Sequence, residues 1–68
     1  MEEDKQLILN KLLDALLETR DQFDLEELVY DAVNEIVTAR YMSGGERRIN
    51  VNMDSGVAMI RDVMEGLR

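Results

Sequence analysis

Three arginines around a pair of glycines are the residues of this chain best suited to binding chemistry. Arg40, Arg47 and Arg48 flank Gly44 and Gly45, and they form the main concentration of positive charge in the sequence. Guanidinium groups donate paired hydrogen bonds to phosphate or carboxylate, and the backbone amides of a glycine turn add further donors. The spacing matches neither a P-loop nor a dinucleotide-binding motif. These five residues therefore have two interpretations, an anion-binding site or arginines that offset neighbouring acids.

Carboxylates are the other abundant reactive groups, but their pattern does not predict an enzyme. The sequence contains no histidine and no cysteine, so the commonest general base and the thiolate nucleophile are both missing. Asp14 with Glu18, and Asp31 with Glu35, are spaced four residues apart on the polar faces of predicted helices, which is typical of solvated charge. We predict a non-catalytic protein that carries no cofactor.

One run of oxygen-bearing side chains has the spacing of a calcium loop. Asn50, Asn52 and Asp54 match the first three ligand positions of an EF-hand. Ser55 stands where that loop needs glycine, and Arg61 stands where it needs a bidentate glutamate. We therefore predict no metal site in this run, and the absence of cysteine and histidine excludes the usual zinc ligands.

The distribution of charge restricts the partners that we expect. The net charge is −7, from 15 acidic and 8 basic residues, and the excess of acids lies in residues 1–38. An acidic front half repels phosphate backbones and anionic membranes. We therefore expect a protein partner, and we expect neither nucleic acid nor a membrane as the ligand.

The short chain length bears on stability and on assembly. The 68 residues are expected to form one domain, 1–68, and a domain of this size buries a small fraction of its surface. Without disulfides, association of two copies is the expected stabiliser, so we predict a homodimer. The chain has no apolar run of about 18 residues and its acidic amino terminus does not resemble a secretory signal. We expect a cytoplasmic protein.

The central stretch of the chain carries the clearest helix signature. Asp24 and Glu27 have the spacing of a capping box, and Phe23 and Leu28 have the spacing of a hydrophobic staple. The apolar residues that follow cover a wide arc of a helical wheel, which predicts a helix over residues 25–41. An arc this wide needs more than one neighbouring element to cover it.

Amphipathic patterns on either side complete the predicted architecture. They favour helices over residues 2–20 and 55–67, with a glycine hinge at 43–46 and an extended segment at 48–53. We predict an all-α fold, a small helical bundle in which the first two helices form a hairpin and the third packs on the second of them.

A second apolar strip lies beside the core face of the predicted central helix. Tyr30, Val37 and Tyr41 cluster on one side of the helical wheel. Aromatic and apolar side chains on a rigid helix are typical anchors of protein interfaces. We therefore predict that these three residues bind the protein partner.

The extended segment suggests a further interpretation. From Arg48 to Met53 polar and apolar residues alternate, which is the period of a half-buried strand. Since no second strand is predicted, the segment is either a connector or a strand that pairs with its copy around a two-fold axis. With the capped helix that follows, the run RINVNM resembles the opening of ribbon-helix-helix repressors. That resemblance implies that Arg48, Asn50 and Asn52 enter the DNA major groove from a dimeric ribbon.

These patterns together favour one function and leave one alternative. We expect a small acidic regulator or inhibitor that binds another protein, of the kind that bacteria, plasmids and phages encode as short independent genes. Its acidic face would occupy a basic, nucleic-acid-binding surface of the target. The alternative is anion, nucleotide or DNA binding through the arginine-flanked glycine turn and the RINVN ribbon of a dimer.

Overall fold

Two helices and a three-stranded antiparallel sheet make up this protein, which is an α+β fold. The computed structural model describes residues 4–19 and 24–67. The strands follow one another in the sheet in the order β1-β2-β3. The elements in chain order are α1 (Lys5–Leu17), β1 (Leu25–Asp31), β2 (Ile36–Tyr41), β3 (Glu46–Asn50) and α2 (Gly56–Gly66).

The predicted helix over residues 25–41 is wrong, because this stretch forms the β1–β2 hairpin. In the hairpin Leu28 lies opposite Ala39, and Tyr30 lies opposite Val37. These four side chains face the core on alternate positions of their strands, so a period of two replaces the helical period. The all-α fold and the helical bundle are therefore incorrect. The predicted capping box is also absent, since the backbone enters a strand at Leu25.

A short polar turn reverses the chain between β1 and β2. The Asp31 carboxylate accepts hydrogen bonds from the backbone N–H groups of Val33, at 2.9 Å, and Asn34, at 3.2 Å. The Asn34 side-chain amide donates to the same carboxylate at 2.9 Å. An aspartate that binds backbone amides two and three residues ahead favours a turn over a continuing helix. This turn therefore ends β1 without glycine or proline.

The predicted extended segment 48–53 begins and ends earlier than expected. It corresponds to β3, and it pairs with β2 of the same chain, with Ile49 opposite Val37. The predicted hinge is the turn between these strands, where Tyr41 N–H donates to Gly45 O at 2.9 Å. Gly44 has a φ of 96°, a conformation that favours glycine. The inference that this strand lacks a partner in its own chain is therefore wrong.

The two helices begin at side-chain caps and lie where amphipathic patterns place them. The Asp4 carboxylate accepts from Leu7 N–H at 3.0 Å, and the Ser55 hydroxyl accepts from Ala58 N–H at 3.2 Å. Neither helix of the described residues is long and apolar enough to cross a membrane. The predicted staple residue Phe23 and the outer ends of the helix predicted over 2–20 lie outside the described residues.

Both helices cover the same face of the sheet, and the core lies between the helices and that face. At the end of α2, a methyl group on Gly66 would lie 2.7 Å from Ile49 Cγ1, so the helix approaches β3 closely. The core is apolar throughout the described residues. Its buried members are Leu9, Leu16, Leu25, Leu28, Val37, Ala39, Val51, Met59, Val63 and Leu67.

Candidate functional site

The side of the sheet that faces away from the helices is the candidate functional site, and we call it the open face. Because strand side chains alternate, the residues between the core-facing ones point to this side. The strand register aligns them in three rows across the sheet. The open face consists of Glu27, Arg40 and Glu46 in one row, Val29, Thr38 and Arg48 in the next, and Asp31, Ile36 and Asn50 in the third.

Arg40 is neutralised by acids on both neighbouring strands. Its Nη1 atom lies 2.9 Å from Glu27 Oε1, and its Nε atom lies 4.0 Å from Glu46 Oε2. The hydrogen bond that Arg40 donates to Glu27 and the charge of that carboxylate raise the pKa of Arg40. All three side chains are about half exposed, so the pairs contribute little to stability. With two carboxylates and one guanidinium, this row keeps a net charge of −1.

Arg48 has a different environment from Arg40. It is exposed, and no carboxylate of the described residues lies within ion-pair distance of it. Two shallow concavities, of about 290 Å³ and 200 Å³, meet at Arg48 and Thr38. Asp31 lines one of these concavities, and its pKa is lowered mainly by hydrogen bonds from Asn34 and only slightly by Arg48. Arg48 therefore presents a positive charge at the β3 end of the middle row of the open face.

The arginines and glycines predicted to bind an anion do not converge on one site. Arg40 and Arg48 lie on the open face, whereas Arg47 points to the helix side and donates to Gly66 O at 2.8 Å. Adjacent strand residues point to opposite faces, which separates two arginines that are neighbours in sequence. Gly44 and Gly45 lie in the exposed turn beyond the strand ends. Arg48 is the member of this group best placed to bind a ligand.

The three residues predicted to bind a partner face the helices rather than solvent. Val37 is fully buried at 0% exposure and belongs to the core. Tyr30 and Tyr41 are partly buried and pack against that core. Lys5 on α1 places its ammonium 5.4 Å from the centre of the Tyr30 ring, a cation–π contact. Val37 is unavailable to a partner in this fold, whereas the two tyrosines keep part of their surface accessible.

The asparagine run that resembles a calcium loop stabilises a backbone turn. Asn50 Oδ1 accepts from Asn52 N–H at 2.8 Å and so shapes the turn that follows β3. Across the part of the chain that is described, no group of three or more acidic side chains could hold a metal ion. Asp54 and Asp62 do form a close pair, and hydrogen bonding to Asp62, burial and repulsion raise the pKa of Asp54.

One end of the molecule adds exposed apolar side chains beside the open face. Val33 and Met53 are each 90% exposed, and Val57 is 79% exposed. Val33 lies in the β1–β2 turn and Met53 in the loop after β3, and these two segments meet where Val51 N–H donates to Glu35 O at 3.0 Å. Val57 lies at the start of α2.

Sequence reasoning missed the middle row of the open face, although a signal for it exists. Val29, Thr38 and Arg48 lie side by side only because three strands pair in this register. The alternation of Ile36, Thr38 and Arg40 with buried neighbours becomes visible once the turn at Asp31 is recognised.

Comparison of the chain with protein-family models, curated proteins and solved structures finds no match.

Proposed function

We propose that this protein is a small, non-catalytic regulator or inhibitor that acts by binding another protein through its open face. The observation that carries this proposal is the composition of that face. Its centre is apolar or uncharged, with Val29 at 40% exposure beside the partly buried Ile36 and Thr38, and charged side chains surround it. Protein interfaces commonly combine an apolar centre with a polar rim. No helix of the described residues covers this centre.

The charge of the chain supports a protein partner with a basic surface. The net charge of −7 favours approach to positive surfaces and opposes approach to nucleic acid or anionic lipid. Glu27 and Asp31 place part of this charge on the open face itself, and Glu26 lies on the same strand. A basic, nucleic-acid-binding surface of a target protein is therefore the partner that we propose.

Binding of a free anion, a nucleotide or DNA remains the second proposal, and the geometry supports it less. The arginines predicted to act together are divided between two faces, and Arg40 already pairs with two acids. Of the predicted ribbon, Arg48 and Asn50 lie on the open face, while Asn52 lies in the following turn. One unpaired arginine in an acidic protein gives weak phosphate binding. Association into a homodimer is a separate proposal, which solution mass tests.

The proposed function can be tested by cross-linking from the open face in the cells that encode this chain. A photoreactive residue replaces Thr38, and a matched variant carries it at Lys11, an exposed position on α1. We expect a discrete protein adduct from position 38, suppressed by excess unlabelled protein, and none from position 11. The partner is then purified and titrated with Thr38→Arg, which should weaken binding, and with Lys11→Glu, which should not. Equal labelling from both positions, or adducts with nucleic acid alone, would contradict the proposal.

A further inference from the structure

The two edges of the sheet differ, because a side chain of α1 covers one of them. Gln6 Nε2 donates to Leu28 O at 2.9 Å, and Gln6 Oε1 accepts from Tyr30 N–H at 2.8 Å. These two bonds imitate the pair that a neighbouring strand would form with β1. The β1 edge is therefore occupied at its centre by the chain itself.

The same two bonds establish which backbone groups of β3 point outward. Since Leu28 and Tyr30 direct their backbone groups away from β2, their partners Ala39 and Val37 direct theirs toward β3. Arg47 and Ile49 lie opposite Ala39 and Val37 and receive those bonds. By alternation, the residues between them point their N–H and C=O groups at the free edge. These outward residues are Glu46, Arg48 and Asn50.

The β3 edge is accessible and carries positive charge. Glu46, Arg47, Arg48 and Asn50 are all exposed, and no other strand of the described residues lies beyond β3. Arg48 projects on the open face, and Arg47 projects on the helix side of the same strand. An edge strand with free backbone groups is a template for another strand. Here the template has a guanidinium group on each side.

We propose that an extended, acidic segment of the partner protein, separate from the basic surface that meets the open face, adds to the sheet along β3. This inference rests on the proposed function and specifies how the partner binds. Backbone hydrogen bonds to Arg48 and Asn50 would supply affinity, while the two arginines would select for acidic side chains. The added strand also extends the open face, so that one partner can contact both the edge and the face.

The charge of β3 favours such a segment over a second copy of this chain. In the symmetric pairing centred on the middle of β3, Arg48 would lie directly opposite Arg48 of the other copy. Like charges at opposed positions destabilise a strand pair, whereas opposite charges stabilise it. An acidic residue opposite Arg48 therefore stabilises the strand pair, whereas a second copy of β3 would place a destabilising arginine there.

The register predicts the residue pattern that the edge prefers. In an antiparallel addition, the partner residue opposite Arg48 lies on the open face, and its neighbours lie opposite Arg47 and Ile49 on the helix side. Acidic residues suit the two arginines, and an apolar residue suits the partly buried Ile49. From its amino to its carboxyl end, the preferred segment therefore has an apolar residue opposite Ile49, followed by acidic residues opposite Arg48 and Arg47.

A peptide titration followed by NMR tests this proposal without knowledge of the partner. The probe is a short capped peptide of β-branched residues with valine, glutamate and glutamate at its centre, added to the full ¹⁵N-labelled chain. We expect the largest amide shifts at Arg48 and Asn50, and much smaller shifts at Tyr30 on the covered edge. The same peptide with lysines in place of the glutamates should bind about five- to tenfold more weakly, as expected when exposed ion pairs become repulsive.

Two controls separate strand addition from simple charge attraction. A peptide N-methylated at the residue opposite Arg48 keeps its charge but cannot complete the ladder, so it should no longer shift Asn50. The variant Arg48→Glu should reverse the preference between the acidic and basic peptides, whereas Arg61→Glu on α2 should not.

Three results would overturn the proposal: no shifts at β3, equal binding of the N-methylated peptide, or β3 shifts that change with protein concentration before peptide is added. The last result would identify a second copy as the occupant. If the peptide fails while Thr38 still cross-links to a partner, strand addition is wrong and the proposed function stands. If both experiments fail, both proposals are wrong.

Discussion

A single amide side chain, Gln6, decides which edge of this sheet is available. It bridges Leu28 O and Tyr30 N–H, and it also donates to Asn10 Oδ1 at 2.9 Å. Nothing in the sequence pattern marks this glutamine, because its role depends on a strand 22 residues away. The arginines show the same limitation, since strand alternation places Arg47 and Arg48 on opposite faces although they are adjacent in sequence.

Replacing Gln6 with alanine should destabilise the protein through β1. The change leaves a partly buried carbonyl and a partly buried amide without partners, at a cost of about 1 to 3 kcal/mol in the free energy of unfolding. Asn10→Ala removes only an exposed hydrogen bond and should change stability by less than about 0.5 kcal/mol. Urea denaturation measures both variants, and equal midpoints would contradict the role of Gln6 as an edge cover.

The Asp54–Asp62 pair predicts a pH dependence of stability. Asp54 Oδ2 is inaccessible and has no hydrogen-bond partner within the described residues. Once it binds a proton, Asp54 can donate a hydrogen bond to Asp62, and this bond, with burial and repulsion, raises the pKa of Asp54 above its ordinary value of 3.8. A raised folded-state pKa means that the pair stabilises the fold at pH below 3.8, and this contribution is lost as the pH rises through the folded-state pKa.

We therefore expect Asp54→Asn to raise the melting temperature at pH 7, since the asparagine amide can donate to Asp62 and the repulsion disappears. The gain over the unmodified protein should shrink as the pH is lowered toward 4. Asp14→Asn removes an exposed carboxylate from α1 and controls for net charge. Thermal melts across this range measure both, and an Asp54→Asn protein no more stable at pH 7 than the control would refute the assignment.

At the scale of elements, the two terminal helices could be predicted and the hairpin could not. Their caps and amphipathic faces are local signals, as the Ser55 hydroxyl at the start of α2 illustrates. The stretch 25–41 fits a helical wheel and also alternates within each strand, so its apolar pattern is ambiguous. The deciding features are the β-branched and aromatic residues, which favour strands, and the Asp31 turn, which lacks glycine and proline.

A pair of alanine variants distinguishes the hairpin from the helix. A helix over 25–41 places both Leu28 and Val33 in the core arc, whereas the hairpin buries Leu28 and leaves Val33 90% exposed. Leu28→Ala should therefore reduce the free energy of unfolding by about 2 to 5 kcal/mol. Val33→Ala should change it by less than about 0.5 kcal/mol. Similar losses in both variants, measured by urea denaturation, would favour the helix.

In the molecule as a whole, the helices cover one face of the sheet and leave the other face exposed. The helices close one side of the sheet over an apolar core, and the opposite side and the β3 edge remain exposed. The candidate site could not be read from the sequence because it is assembled from three strands. Only the net charge, which favours a basic protein partner, was available from composition.

The structure leaves the β3 edge open, and amide hydrogen exchange at several protein concentrations tests this claim. We predict slow exchange at Val37, Ile49 and Tyr30, whose N–H groups are bonded within the sheet or to Gln6. Arg48 and Asn50 should exchange rapidly at every concentration. Protection at Arg48 and Asn50 equal to that at Ile49 would contradict the claim, because it would mean that the edge is already occupied in the free protein.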